Sequence, residues 1–287
     1  MTQTEKALRV ITADNPSPLT GPGTNTFLLG RGQVAVIDPG PDLAAHRAAI
    51  LAAGAGRISH IFVTHAHLDH SAGARALAQA TGAPILGFGA ATEGRSALMA
   101  RLALSGALAG GEGIDPDFVP DLTLADGAVI ETGDWRLQAL HTPGHFAGHL
   151  SFRHEDTIFC GDVVMGWSTT IISPPDGDLA DYFRTLERLD AAGAARLLPA
   201  HGPAITDPAA RLAELATHRH SRTAEILAAL QHGPATAESI ARRIYDVTPA
   251  LIPAATRNVL AHLIALSQSG AVRTPGPIAV DAIFSRS

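Results

Sequence analysis

Thr64-His65-Ala66-His67-Leu68-Asp69-His70 places three imidazoles and one carboxylate within six residues. Neither packing nor a solvated surface accounts for such density. Upstream, Ile58-Ser59-His60-Ile61-Phe62-Val63 reads as a buried strand. Downstream, Ser71 to Gln79 reads as a helix, so the cluster lies on a strand-to-helix loop, where a rigid scaffold displays binding groups. His65 and His67 alternate with Ala66 and can converge on one ion from an extended loop. Asp69 and His70 follow where the chain curls into the helix and point toward a second ion. Imidazole and carboxylate together suit borderline-soft divalent ions, with zinc the default.

Further ligands must come from other loops. His145 in His141-Thr142-Pro143-Gly144-His145, Asp162 in Phe159-Cys160-Gly161-Asp162 and His201 in Leu198-Pro199-Ala200-His201-Gly202 each sit at a strand end beside glycine. Glycine permits the backbone angles and close approach that tight ligand loops need. Other histidines read differently. His60 is a strand residue, His141 a strand end that could line the site, and His149 structural or substrate-facing. His218 and His220 fall on a helix and are expected to be solvated. Cys160 reads as a buried thiol, and as the single cysteine it excludes an internal disulfide framework.

Working outward, strands are expected at 26–30, 33–37, 84–87, 122–124, 128–131, 135–141, 149–153, 157–160 and 196–199. Helices are expected at 43–53 and 181–191. Two sheet halves with helices outside fit the layer rules for an α/β domain. Residues 89–120 are less regular, with a helix at 99–108 and the glycine-rich 109–113; they read as a lid or a surface excursion. From Pro208 the texture changes. Helices at 211–231, 236–245 (capped by Thr236) and 249–267, then a hairpin of 270–273 with 278–280, form a winged-helix pattern. The domains are therefore drawn at 1–207 and 208–287. Residues 1–207 carry 13 basic and 22 acidic side chains, net −9; residues 208–287 carry 8 and 5, net +3. A mildly basic tail module hints at a polyanionic partner.

The whole set resembles the metallo-β-lactamase superfamily. THAHLDH matches its H-x-H-x-D-H signature, and the TPGH, GD and HG segments follow in the family's order across roughly residues 15–205. The resemblance implies an αββα sandwich followed by the small winged-helix-like domain. It implies two zinc ions per chain, with Mn2+ or Fe2+ as alternatives. Carried over by position, His65, His67 and His145 hold one ion, Asp69, His70 and His201 hold the other, and Asp162 bridges them. A hydroxide between the ions would attack a carbonyl or phosphoryl centre, oriented by Asp69 as the catalytic carboxylate. Asp38, in Asp38-Pro39-Gly40, would support a ligand imidazole from outside.

The 19–26 segment LTGPGTNT and the 258–263 segment NVLAHL further resemble the β-lactamase-like subgroup that includes an endoribonuclease. One expected function is thus phosphodiester hydrolysis of single-stranded RNA, gripped by Arg219, Arg222, Arg242, Arg243 or Arg257. Against it, Tyr245 and Phe284 are the only aromatics the tail offers for stacking. A second is a glyoxalase-II-like thioesterase or lactone hydrolase acting on a small molecule. A third is a non-catalytic nucleic-acid-binding protein. The N-terminus shows no apolar signal region and no apolar run reaches transmembrane length, so a cytoplasmic protein without a membrane partner is expected.

Overall fold

The computed structural model describes residues 7–108, 111 and 113–287. Six strands form the first sheet, in chain order: β1 (Leu8–Thr12), β2 (Asn25–Leu29), β3 (Val34–Ile37), β4 (Ile58–Phe62), β5 (Ile85–Gly87) and β6 (Leu122–Thr123). β1, β2 and β3 are antiparallel neighbours, and β3 to β6 run parallel. The second sheet has the order β11-β10-β9-β8-β7, from β7 (Val129–Glu131), β8 (Arg136–His141), β9 (Leu150–His154), β10 (Thr157–Gly161) and β11 (Arg196–Pro199).

The two-residue period of the strands explains how the sheets stack. In β2 and β3, Phe27, Leu29, Ala35 and Ile37 face the second sheet, meeting Phe152, Phe159 and Leu198. The alternate residues Leu28, Val34 and Val36 face outward onto Ile50 of α1 (Ala44–Gly54) and Leu77 of α3 (Ala74–Thr81). In β10, Phe159 faces inward, while Ile158 and Cys160 face Tyr182, Leu186 and Leu189 of α5 (Leu179–Ala191). The result is helix, sheet, sheet, helix, with the central strands of each sheet buried on both faces.

The expected helix after the histidine loop is broken in two. α2 (Leu68–Ser71) stops before Gly73, and α3 begins after it. A Cβ on Gly73 would lie 3.0 Å from the Gly40 carbonyl oxygen, so the break lets the loop dock on the Asp38-Pro39-Gly40 turn. β1 has no counterpart among the expected strands. It pairs with β2 and is half-buried at the sheet's edge.

Beyond Pro199, α6 (Pro208–Ala229) starts at a Pro in its first turn with Asp207 as N-cap. Its first half puts Leu212 and Leu215 on the outer face of the second sheet. Its second half puts Ile226 and Ala229 into a separate core with α7 (Ala237–Ile244) and α8 (Ile252–Gln268). Thr236 caps α7 by accepting from Ser239 N. The small third sheet has the order β12-β14-β13, from β12 (Ala235–Thr236), β13 (Val272–Arg273) and β14 (Ile283–Arg286). The expected returning strand at Ile278–Val280 is thus displaced. Phe284 is the residue that enters the core, and pairing follows it.

Two other expectations change. α4 (Ala97–Leu104), inside the 89–120 excursion, sends Met99 and Leu102 into the C-terminal core together with Leu108. It packs that core against the sandwich, while Gly111 and Gly113 of the same excursion line a cavity. Ala109, Gly110 and Glu112, part of the expected glycine-rich segment, lie outside the described residues. The expectation about apolar runs is corrected too. The helical stretch Pro249–Gln268 is long and apolar enough to cross a membrane by length and composition alone, with 56% of that window buried inside the protein. Its buried face carries Val259, Leu260, Leu263 and Ile264 against α6 and α7, as a core helix does.

Candidate metal centre

The loop ends of both sheets meet along one edge of the sandwich. Thr64–His70 follows β4, His145 follows β8, Asp162 follows β10 and His201 follows β11. Two glycines make that convergence possible. Gly144 (φ +141°) brings the TPGH turn against α5, where a Cβ would sit 2.5 Å from Tyr182 Cα. Gly161 (φ +49°) precedes Asp162, and a Cβ there would sit 2.5 Å from His149 Nε2 and 2.9 Å from Thr64 Oγ1. The strands of each sheet deliver the loops, and glycine lets them close together.

All seven residues singled out as ligands lie in one cluster. His65 Nε2 is 2.8 Å from His67 Nδ1, which is 3.2 Å from His145 Nε2. These three nitrogens can share one ion. Asp69, His70 and His201 form a second group with that capacity. His70 Nε2 lies 3.4 Å from Asp69 Oδ2, and His201 Nε2 lies 3.3 Å from the same oxygen. Asp162 stands between the groups: Oδ1 is 3.3 Å from His201 Nε2, while Oδ2 is 3.5 Å from His70 Nε2 and 3.9 Å from His145 Nε2. His70 Nε2 and Asp162 Oδ1 are buried without a hydrogen-bond partner. Buried polar atoms left unsatisfied are costly, and divalent ions would satisfy both.

The outward nitrogens of His65, His70, His145 and His201 are held from behind, which fixes the nitrogen facing the cluster. His70 Nδ1 donates to Asp38 Oδ2 at 3.0 Å. His145 Nδ1 donates to the Ile171 carbonyl at 2.6 Å, with Thr170 Oγ1 at 3.1 Å. His201 Nδ1 donates to the Gly23 carbonyl at 3.2 Å. His65 Nδ1 pairs with Thr64 Oγ1 at 3.0 Å. Asp38 is fully buried and also accepts from Thr64 N at 2.7 Å and Thr64 Oγ1 at 2.8 Å. It takes this position with φ +51°, an uncommon conformation for a non-glycine residue at the end of a strand.

Electrostatics divide the cluster. Burial, reinforced by neighbouring imidazoles, lowers His65 well below its usual range. Burial and then His145 hold His67 down to about 3. Burial also opposes protonation of His70 and His201, but the carboxylates overcome it. Asp69, Asp162 and Asp38 raise His70 well above its usual value. Asp162 and Asp69 push His201 up to about 10. Burial would raise the Asp162 carboxyl, yet His201 and His70 hold it well below the carboxylate range. One group therefore presents neutral lone pairs and the other carries protons on nitrogen.

Other residues fall into supporting places. His149 is completely buried. Its Nε2 accepts from Asp162 N at 3.3 Å and its Nδ1 pairs with Thr142 Oγ1 at 2.9 Å, so it shapes the Asp162 loop. His141 stacks on Phe88 and bonds the Ala147 carbonyl, away from the cluster. His60 packs beside Phe62 and Trp135 within the sheet. Cys160 is a buried free thiol. His218 is half-buried rather than solvated, and exposed His220 stacks on Phe183. Residues without a ligand signature also matter. Thr24 Oγ1 donates to Asp69 Oδ2 at 3.1 Å. Asn25 Nδ2 donates to the carbonyls of Pro199 and Gly202, tying down the His201 loop. Only the TGPGTNT turn cluster hinted at them.

The arginines expected to grip RNA are deployed otherwise. Arg219 is 1% exposed and donates to Asn258 Oδ1 and the Thr170 carbonyl, so it is neither a surface charge nor a phosphate contact. Arg222 lies over the Tyr245 ring at 4.3 Å and donates to the Ile244 carbonyl. Arg242 is paired with Glu238. Arg257 alone of the five reaches the cluster's cavity, donating to Ser173 Oγ at 3.1 Å.

That cavity, of about 420 Å³, opens above His67, Asp69, His145, Asp162 and His201. Its lining includes Met165 and residues 168–171 and, from the C-terminal module, Tyr245, Val247, Leu251, Ala255 and Asn258.

Comparison with known proteins agrees with this architecture. The family described as "Metallo-beta-lactamase superfamily" matches residues 19–201, and the "Beta-lactamase associated winged helix domain" matches residues 236–276. A "Beta-lactamase-like protein 2 homolog" from Drosophila melanogaster is 29% identical, covering 94% of this chain and 90% of its own length. An "Atrochrysone carboxyl ACP thioesterase" from Aspergillus chevalieri is 29% identical, covering 86% of this chain and 75% of its own. The crystal structure of a metallo-beta-lactamase family protein from Thermus thermophilus superposes with a TM-score of 0.79 at 27% identity, covering 98% of this chain and 99% of that one. Four layers, two His/Asp groups on one edge and an attached winged helix lead to one conclusion: this chain belongs to the metallo-β-lactamase superfamily and is a metal-dependent hydrolase.

Proposed function

We propose that the chain is a dinuclear zinc hydrolase of a small acyl substrate, a thioester or an ester. His65, His67 and His145 would hold one ion, Asp69, His70 and His201 the other, and Asp162 would touch both. Bound there, the ions would supply an activated water at neutral pH and polarise the scissile carbonyl. Residues 1–207 carry this site, and residues 208–287 close it from one side.

Asp69 is the residue assigned to proton handling. Its side chain is 27% exposed against 11% for Asp162, so of the two carboxylates it is the more open to the cavity. Thr24 Oγ1 donates to its Oδ2, and that bond would hold the carboxylate in one orientation to accept a proton from water and return it to the leaving group.

The observation that carries the acyl reading is the cavity's lining. Among its described residues, Arg257 is the single Lys or Arg, facing mostly apolar and neutral polar groups. A compact, largely apolar acyl substrate fits that lining. A polynucleotide draws its affinity from many phosphate contacts, and three of the five arginines expected to supply them, Arg219, Arg222 and Arg242, are committed elsewhere. Arg243 is exposed on α7, outside the cavity lining. The thioesterase named among the relatives supports the same choice. The test is zinc-loaded protein assayed on an acyl thioester, a lactone, a chromogenic phosphodiester and single-stranded RNA. Turnover of thioester or lactone, abolished by Asp69→Asn/His70→Ala, is expected. Turnover of the phosphodiester and RNA alone would replace the acyl reading with the phosphodiesterase one.

A further inference from the structure

The C-terminal module contributes more than a cavity wall, and Arg219 is where this becomes visible. It is a guanidinium buried in α6 among neutral partners: the Asn258 side-chain oxygen, the Thr170 carbonyl and the face of Tyr182 at 5.3 Å. Burying a cation is costly unless its hydrogen bonds are strong and well placed. Packing alone would be met by a long apolar side chain.

Following those bonds leads back to the metal centre. Asn258 Oδ1 accepts from Arg219 at 3.2 Å and also from Ile172 N at 2.9 Å. Arg219 itself donates to the carbonyl of Thr170. The peptide units on both sides of Ile171 are therefore clamped by two side chains of the C-terminal helices. The Ile171 carbonyl between them accepts the 2.6 Å bond from His145 Nδ1, and Thr170 Oγ1 lies 3.1 Å from the same nitrogen. Among the described residues, no carboxylate bonds His145 Nδ1. The position of one backbone carbonyl decides which tautomer its ring adopts and where Nε2 points.

We infer that Arg219 and Asn258 are positioning residues for His145: they hold the 170–172 segment so that Nε2 faces His65 and His67, and thereby make the first ion's site depend on the C-terminal module. The inference rests on reading His145 as a ligand.

The test uses full-length protein titrated with cobalt(II) against a competing chelator, following both stoichiometry and the visible absorption of the bound ion. Arg219→Met and Asn258→Leu are expected to weaken one of two cobalt equivalents by about 10- to 100-fold and to alter its spectrum. Asn258→Asp keeps an oxygen for both Arg219 and Ile172 N and is expected to bind cobalt like the parent chain. Thermal unfolding run alongside separates this from general destabilisation, because Asn258→Leu and Asn258→Asp would then differ in cobalt binding while both remain folded. Should Arg219→Met not fold, the Asn258 pair decides. Parent-like affinity and spectrum in a folded Asn258→Leu variant, with His145→Ala losing an equivalent, would overturn the brace alone. Parent-like binding in His145→Ala would overturn the ligand reading and the brace with it.

Discussion

His70 and His145 are both buried imidazoles that point Nε2 into the same cluster, yet they are held from opposite sides by different means. His70 leans on Asp38, a buried carboxylate at the end of β3 in the same sheet that delivers the histidine loop. His145 leans on a backbone carbonyl whose place is set by Arg219 and Asn258, on two helices far along the chain. A carboxylate supplies charge as well as direction: burial opposes protonation of His70, but Asp69, Asp162 and then Asp38 raise it well above its usual value. A carbonyl carries no net charge: burial lowers His145, and the Asp162 carboxylate and the Ile171 carbonyl offset this only in part. The same pair of ring nitrogens is thus tuned for charge in one half of the centre and for geometry in the other.

Removing the half that carries charge is expected to have the largest effect. Asp69→Asn/His70→Ala is expected to cut turnover by at least about 10³-fold on any substrate the parent hydrolyses, measured by steady-state kinetics. Activity near the parent's would show that the centre lies elsewhere. Next in size, Asp38→Ala is expected to weaken one bound ion by about 10- to 100-fold, the cost typical of losing an outer partner of a ligand. Titration should show that this equivalent differs from the one Arg219→Met disturbs. If both variants lose the same one, the two halves are not independently supported.

The two halves also differ in their dependence on pH. In the metal-free chain His201, at about 10, and His70, raised well above its usual value, are protonated at pH 7. An ion entering their group must displace those protons, so its affinity rises with pH up to about 10. His67, at about 3, and His65 and His145, both lowered from the usual imidazole value, carry no proton to displace above neutrality, so affinity in their group stays nearly flat between pH 7 and 9, on the order of the same Kd throughout. Calorimetric titration in buffers of different ionisation enthalpy would register protons released in one step and not in the other. Equal proton release in both would refute the division. The smallest expected effect is a control. Thr236→Ala removes the cap of α7 and should cost about 1 kcal/mol of stability, read from denaturant unfolding. Cobalt binding should be unchanged, since Thr236 does not reach the 170–172 segment. Loss of an equivalent here would mean that any weakening of the module, not the Arg219 and Asn258 bonds, loosens His145.

Legibility followed side-chain chemistry. His65, His67, Asp69, His70, His145, Asp162 and His201 stand out in the sequence because metal ligands are drawn from few residue types, and their short motifs place them on the loops that the fold brings into one cluster. Asp38 was readable as an outer partner through the family resemblance. Thr24, Asn25, Thr64, Thr170 and Asn258 were not. Small neutral polar residues serve turns, caps and surfaces everywhere, and only the partner, often far along the chain, assigns a role. Arg219 misled for a related reason. An arginine on an amphipathic helix is ordinarily solvated, and its burial depends on where α5, α6 and α8 meet. The wing strand was misplaced because both Ile278–Val280 and Ile283–Arg286 are short and partly apolar, and Phe284 wins by filling the core.

The sequence by itself therefore determined the four-layer fold, through strand periods and helix patterns, and the inventory of the centre, through imidazole and carboxylate types at loop ends. Tertiary structure alone decided which nitrogen of each imidazole faces inward, which groups carry protons and which module holds His145. Those properties depend on distances between residues remote in the chain, and hydrogen bonds and Coulomb forces act only across the space that folding closes.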